Sequence, residues 1–498
     1  MARHLSRRML LARAVTASVG GAGALLLAAC QQAAPPAPTA APPAPAPTQA
    51  PAAAPTQAPA AAAAPKSSGP IEITWSTTPL WPRGKNSDKD EAPPDEWAND
   101  AIERYKKVDP NVKITLEIVT WDQWSQKYQT AIASQSWWNV MYRMGADIAL
   151  AEKGVTIPLD DAVTKEDREE IGESWWKPFI IKGKIYEWPI FGDPAYLAIN
   201  RSMFKEKGAE NLLPAEDSRE WNWDQFLDAA KAVSGGSGAS QTYALGLPGD
   251  QRQYWTMGWI PQSFGARLWS EDETKSLIDQ PEYVEGVEFM LAMQDTHKVI
   301  PPGIPSYKDI DQFFLDKRVA AEHRWGSVVQ TIKSGLSSGS IKPPWDLYLV
   351  NQPYKKGITS KVGHSGESLG YSVMQDKDDR KVAASKQFVR WLGFPENKAG
   401  WTQRGFMPAR ATARKGVYAD DPNLKWAAEV LLQKPYEDHP IRLSKNAAAG
   451  KLVTFSYFQE TIGGAFQEVM LKKKPVKQAL ADAAKRINDD IAKAMKGG

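Results

Sequence analysis

Residues able to do covalent or acid–base chemistry are few in this chain of 498 residues, and their spacing argues against it. Asp160 and Asp161 stand side by side, an arrangement from which a general acid and a general base can be drawn. Following Pro158-Leu159, however, adjacent acids read better as the start of a helix. Gly363-His364-Ser365-Gly366 has Glu367 where a nucleophile elbow needs its second glycine, two residues after the serine. Gly235, Gly236 and Gly238 follow a helical pattern rather than a strand, so they are loop glycines and cradle no phosphate. Five histidines, none in an H-E-x-x-H spacing, leave little for a transition-metal site, and a single cysteine excludes a cysteine-based zinc site and a disulfide framework. No catalytic residue, cofactor or metal is expected.

What the chain has in excess is aromatic surface. Its 20 tryptophans, 15 tyrosines and 14 phenylalanines all lie beyond residue 70. A single ring is ordinarily core packing or a half-buried surface group, but so many together suggest a ligand with faces to stack on. The charge excludes another class. The formal net charge of +3 misleads, because residues 1–70 hold five basic side chains (Arg3, Arg7, Arg8, Arg13, Lys66) and no acid. The remainder is slightly acidic and lacks the clustered basic excess of a nucleic-acid binder, so no nucleic-acid partner is expected.

The elements that must position these rings begin at once after Pro70. Ile71-Glu72-Ile73-Thr74-Trp75 alternates like a half-buried strand. Trp97, Ala98, Ala101, Ile102 and Tyr105 share one helical face, and Val112, Ile114, Leu116 and Ile118 form a second strand. A strand–helix–strand unit implies parallel pairing with a right-handed crossover. The chain therefore opens as an α/β sheet, and ligands of such sheets lie beyond the carboxyl ends of the strands, here near 76–81 and 120–124. Asn222 with Gln225 three residues on forms a capping box ahead of a helix with Trp223, Phe226, Leu227, Ala230 and Val233 on one face. Phe388 to Leu392 and Pro475 to Ile491 also read as helices, and the acidic run Glu166 to Glu170 as a solvated helix face.

Ahead of this folded part the composition is different. Residues 1–29 read as an export signal: a basic segment, then the uncharged stretch Ala14 to Ala29, too short for the roughly 20 residues of a spanning helix. Ser6-Arg7-Arg8-Met9-Leu10-Leu11 resembles the twin-arginine export motif, with Arg7 and Arg8 as its pair. Leu27-Ala28-Ala29-Cys30 resembles a bacterial lipobox, which implies that Cys30 is lipidated and anchors the chain to the lipid bilayer. Residues 31–69 hold 11 of the 37 prolines and cannot bury enough apolar area to order themselves. Residues 30–69 are thus a lipidated cysteine and a tether, at most roughly 120 Å long if fully extended.

Seven stretches, in order, resemble the extracellular solute-binding lipoproteins of carbohydrate-importing ABC systems, the group that includes maltose-binding proteins. Thr130 to Ser134 with Trp138-Asn139-Val140 resembles the segment ending Pro-Asp-Val. Ile157-Pro158-Leu159-Asp160 after Gly154 is similar to G-x-x-x-P-L-D, and Gly183 to Pro189 to G-K-x-Y-G-x-P. Leu197 to Phe204 resembles L-x-Y-N-x-x-x-F, Trp223 to Phe226 resembles W-D-E-F, and Gly405 to Arg410 resembles G-x-x-P-A-R. Phe314 to Ala321 resembles F-x-x-G-K-x-A-M, with Lys317-Arg318 in place of Gly-Lys, just as Trp138-Asn139 replaces Pro-Asp.

The resemblance implies an α/β, two-lobed periplasmic-binding-protein-like fold with an interlobe ligand cleft, lobe one over 70–195 and 345–394 and lobe two over 196–344 and 395–498. The crossings fall near Tyr196 to Asn200 and Asp346 to Val350. It implies a monomer on the outer face of the cell membrane that captures a sugar, closes around it by hinge motion and delivers it to ABC permease subunits, with no chemistry of its own. Carried over position by position, the ligand contacts are Ser76 and Thr77 after the first strand, Arg143 and Asp147, then Asp193, the aromatic residues Tyr254, Trp255 and Trp325, and Tyr457. Such a set suits a sugar, which offers an apolar C–H face and a ring of hydroxyls. Two other classes want the same rings: a receptor for a quaternary amine held in an aromatic cage, and a surface glycan hydrolase, which needs two opposed carboxylates.

Overall fold

The structure is a computed structural model that describes residues 69–78, 96–143, 148–249, 257–324, 327–358, 367–398, 402, 405–431 and 455–496. Its first strand, β1 (Ile71–Thr77), pairs in parallel with β2 (Val112–Ile118) from Ile71↔Val112 to Thr77↔Ile118. The helix between them, Glu96–Val108, buries Trp97, Ala98, Ala101, Ile102 and Tyr105, the five residues whose spacing marked its apolar face. On the other side of β1 lies β3 (Val140–Arg143), also parallel. Asn139, just before it, pins the pair together: its Oδ1 accepts from the Thr74 backbone N–H at 2.9 Å and from the Thr74 hydroxyl at 3.1 Å.

After a small hairpin of β4 (Ile180–Ile181) and β5 (Lys184–Ile185) the chain enters β6 (Trp188–Asp193), and then β7 (Tyr196–Asn200). The remaining strands are β8 (Tyr243–Gly246), β9 (Val319–Arg324), β10 (Leu347–Val350), β11 (Glu367–Val373) and β12 (Met407–Pro408). They form a six-stranded sheet, β12-β6-β11-β3-β1-β2, and a four-stranded one, β10-β7-β9-β8. β11 runs antiparallel to both β3 and β6. Its register slips between Leu369 and Gly370, and a Cβ on Gly370 would meet the Trp188 carbonyl oxygen at 1.9 Å, so only glycine lets the two backbones approach there.

Each sheet has its own core. Trp75, Tyr105, Tyr142, Trp188, Phe191, Tyr371 and Phe388 belong to the one packed on the larger sheet. The smaller sheet is covered on both faces, one by a cluster containing Leu197, Trp223, Trp259, Tyr283 and Phe466, the other by Tyr196, Ala198, Phe314, Val328, Trp345 and Trp426. Leu347–Val350, within the stretch assigned to lobe one from sequence, pairs with β7 of the smaller sheet. Met407–Pro408, within the stretch assigned to lobe two, pairs with β6 of the larger one.

The segment after β12 ties both sheets. The Tyr418 hydroxyl donates to the Thr402 and Phe406 carbonyls at 2.8 and 2.7 Å. Farther on, Asn423 sits along β10: its Oδ1 accepts from Leu349 N–H at 3.1 Å and its Nδ2 donates to the Leu347 carbonyl at 2.8 Å. Arg219 joins them, donating to the Leu349 carbonyl and to Asn423 Oδ1 at 3.0 and 2.8 Å.

Two local expectations change. Asp160 and Asp161 start no helix; they occupy a turn, with Asp160 accepting from Ile185 N–H at 3.1 Å and Asp161 ion-paired to Lys386 at 2.6 Å. The helix begins later, at Lys165–Ile171, because Thr164 supplies its capping box with Asp167. Nor is the acidic run a wholly solvated face. Asp167 is fully buried, its carboxylate held by Arg390 at 2.9 Å and by Arg410. The expected capping box of Asn222 and Gln225 is present, on the helix Trp223–Val233.

Candidate functional site

Because β11 opposes β3 and β6, the carboxyl ends of β1, β3 and β6 share one edge of the larger sheet. Ser76 and Thr77 stand there at the end of β1, both fully buried. Their hydroxyls are hydrogen-bonded inside the lobe, Ser76 to Tyr128 at 3.2 Å and Thr77 to Tyr371 at 2.7 Å. Burial holds the Tyr371 phenol well above its ordinary pKa, so at neutral pH it remains an O–H able to donate. Thr78, the next residue, is equally buried, and its hydroxyl has no hydrogen-bond partner among the described residues.

Asp193 ends β6 at the same edge, half-buried, opposite Glu367 of β11. Three residues later the chain is in the other sheet: Tyr196 opens β7 and pairs with Arg324, the last residue of β9. The pKa of the Tyr196 phenol is pushed far up by burial and by the charge of Asp193, with Arg324 opposing. Tyr418 is raised by burial and by the same Asp193 carboxylate, together with Asp421. Asp193 thus acts electrostatically on phenols carried by β7 and by the segment after β12.

Arg324 is itself engaged by two acids. Its Nη1 contacts Asp311, from the helix Tyr307–Leu315, at 2.7 Å, and its Nε contacts Glu322, two residues back on the same strand face, at 3.1 Å. Burial raises Asp311, with Arg324 pulling it down. For Glu322 desolvation prevails over the nearby guanidinium and carries its pKa to about 8. A carboxyl with no access to water keeps its proton unless the partner cation fully replaces the lost hydration, and one guanidinium shared with Asp311 falls short of that.

Residues 88–399 match the profile of the family described as bacterial extracellular solute-binding protein, well over half of the chain. The chain belongs to this family. A binding protein of Brucella abortus (strain 2308) is 26% identical over 339 residues, 64% of this chain and 74% of that protein. The sn-glycerol-3-phosphate-binding periplasmic protein UgpB of Escherichia coli (strain K12) is 23% identical over 370 residues, 70% of this chain and 78% of that protein. Among solved structures, an ABC transporter solute-binding protein of Thermotoga lettingae bound with alpha-D-tagatose superposes with a TM-score of 0.65 at 18% identity, covering 84% of this chain and 100% of that one. That likeness makes the two sheets the cores of a two-lobed solute-binding fold.

In this solute-binding protein the residues expected at the ligand fall into three groups. Ser76, Thr77 and Asp193 gather at the carboxyl edge of the larger sheet. Tyr457 lies elsewhere, on the helix Phe455–Phe458, half-buried, donating its hydroxyl to Asp490 of the helix Val476–Lys496 at 2.9 Å. Arg143 closes β3 with its backbone opposite Gly370, and its side chain lies outside the described residues. Asp147, Tyr254, Trp255 and Trp325 lie outside them too, as do Arg7, Arg8 and Cys30. Many of the described rings serve the cores. Trp75, Trp176, Trp188 and Trp259 are among the largest fully buried side chains, and Trp259 stacks between Trp223 and His323 at 5.5 Å from each.

Sequence reasoning included Thr78 only within the stretch 76–81 and passed over Asp311, Glu322 and Arg324. A signal for Arg324 was available, since it adjoins Trp325. Nothing local pointed to Asp311, whose role depends on where its helix packs. Among the described residues no group of three or more potential ligands could hold a metal ion, and no helix is long and apolar enough to cross a membrane.

Proposed function

We propose that this solute-binding protein captures a sugar or oligosaccharide outside the cytoplasmic membrane, in the cleft between its lobes, and delivers it to the permease of an ABC importer without acting on it chemically. The observation that carries the reading is Asp193 itself, a half-buried carboxylate at the end of β6 where the chain passes from one sheet to the other. Ionised carboxylates accept hydrogen bonds from paired hydroxyls and repel a phosphoryl group. The tagatose complex of the Thermotoga relative supports a sugar; UgpB, named for sn-glycerol 3-phosphate, supplies the competing chemistry. In the proposed site Asp193, Arg143 and Asp147 meet the hydroxyls and Tyr254, Trp255 and Trp325 meet the sugar faces, while Ser76 and Thr77, bonded to Tyr128 and Tyr371, brace the strand end and Tyr457 remains with Asp490.

A thermal-shift screen of the full-length protein against mono- and oligosaccharides, with sn-glycerol 3-phosphate alongside, tests this. A ligand at 100 times its dissociation constant adds about 2.7 kcal/mol of stability. Stabilisation by a sugar is expected, and stabilisation by the phosphate ester alone would overturn the sugar reading. Small-angle scattering with and without the sugar should show a smaller radius of gyration when bound. We further propose that Cys30 carries the membrane anchor after export through the Arg7-Arg8 motif, a reading supported by the lipobox and the proline-rich tether. Cys30→Ser should release the protein from membranes, and unchanged fractionation would refute the anchor.

A further inference from the structure

β12 lies on the far side of β6 from β3 and β1, so the chain leaving it stands across β6 from Ser76 and Thr77. There it folds back toward the helix Glu173–Trp176 and leaves a cavity of about 780 Å³. That volume is in the range of small-molecule sites. Its floor is apolar, with Ile171, Trp175 and Met407 all buried. Its polar lining is unbalanced: Arg414, Lys415 and Lys425 face one acid, Glu429.

Several other cations in the molecule are held by acids. Arg390 and Arg410 share Asp167, Lys386 holds Asp161, and Arg201 holds Asp346 and Glu216. Among the described residues no carboxylate lies within ion-pair distance of Arg414, Lys415 or Lys425. Arg414 is half-buried and sits over the Trp175 ring at 5.2 Å, and among the described residues its Nη1 donates only to the neutral carbonyls of Pro408, at 3.3 Å, and Ala409. Burial depresses its pKa, with the Glu170 charge opposing. A partly desolvated guanidinium with unfilled donors, flanked by two exposed lysines, is completed by an anion.

We propose that this cavity is a second ligand site, separate from the interlobe cleft, for a small organic anion: a phosphate or carboxylate on an apolar body. The anion meets Arg414 in its rigid fork and the two lysines as point charges, and the apolar body covers Met407 and Ile171.

Isothermal titration of the full-length protein with phenyl phosphate at low salt tests the site, with benzoate, phenol and inorganic phosphate as comparators. Binding in the sub-millimolar range that weakens with salt is expected, and phenol or inorganic phosphate should bind less well than phenyl phosphate. Benzoate binding better than phenyl phosphate would support the same site with a carboxylate as its anion. The double variant Lys415→Glu, Lys425→Glu changes exposed side chains only and should weaken phenyl phosphate at least about tenfold while leaving sugar affinity unchanged. Arg414→Ala should weaken it further, and the lysine variant decides the matter if Arg414→Ala does not fold. No heat up to about 10 mM ligand, equal affinity in the lysine variant, or displacement of phenyl phosphate by the cleft's sugar would overturn the proposal.

Discussion

Asp193 is the last residue of β6 in the larger sheet, and Tyr196, three residues on, is the first of β7 in the smaller one. Backbone pairing fixes both ends of that step: Glu367 opposes Asp193, and Arg324 opposes Tyr196. A carboxylate placed there stands at the passage between the sheets and acts on phenols carried by β7 and by the segment after β12.

Asp193→Asn should therefore cost binding and spare the fold. The amide keeps the shape but exchanges two acceptors for one acceptor and one donor, a loss of roughly 1.5–3 kcal/mol where a charged hydrogen bond is buried. Calorimetry with the sugar should show the loss, and the unliganded melting temperature should stay where it was. Unaltered affinity would remove Asp193 from the site.

Glu322 makes stability fall as the pH rises. Its ordinary value of 4.5 describes the unfolded chain and its buried value is about 8, so between them the folded state holds a proton that the unfolded state has released. This contribution is complete below pH 4.5 and is lost as the pH climbs to about 8. Glu322→Gln imitates the protonated form, so its melting temperature should decline less than the wild type's over that range. Parallel profiles would mean that Glu322 does not titrate there.

Asp167 has the opposite sign. Burial alone would raise its pKa, but the backbone and hydroxyl of Thr164 and the Arg410 guanidinium outweigh burial and lower it. Its contribution is intact above the ordinary 3.8 and is lost as the pH falls below that value. Removing the carboxylate leaves Arg410, 6% exposed, without its anion. Asp167→Asn should cost about 3–5 kcal/mol in urea unfolding, and a loss well below 1 kcal/mol would show that Arg390 and Arg410 find other partners.

Lys317 sits at φ 58°, in the left-handed region where a side chain strains the backbone. It is also the position at which the family's F-x-x-G-K pattern has glycine. Its ion pair with Glu206, at 3.7 Å and with Glu206 half exposed, is worth little. Lys317→Gly should raise stability by up to about 1 kcal/mol, read from the urea midpoint. A lower midpoint would mean that the lysine stem packs usefully.

What could be read from the sequence was whatever depends on neighbours along the chain. The alternation of β1 and β2, the five-residue face of the helix between them and the capping box at Asn222 each rest on contacts within a few residues. Asp167 was misread as solvated because its partners, Arg390 and Arg410, lie 223 and 243 residues away. The Asp160-Asp161 turn was missed because Lys386 and Ile185, which hold the two acids, come from other elements. At the site, family resemblance pointed to the carboxyl edge where Ser76, Thr77 and Asp193 gather. It gave no hint of the Arg324–Asp311–Glu322 cluster, whose charges come together only when a helix packs beside a strand.

β10 is an outer strand of its sheet, and such an edge offers open hydrogen-bonding groups to any extended chain that drifts by. Here a single amide, Asn423, takes up the Leu349 N–H and the Leu347 carbonyl, imitating one residue of a missing neighbour strand. The edge is thereby closed to intermolecular zippering. That protection matters most where copies are crowded side by side on a surface and meet one another repeatedly, because a sticky margin there would turn a field of independent receptors into fibrous aggregates.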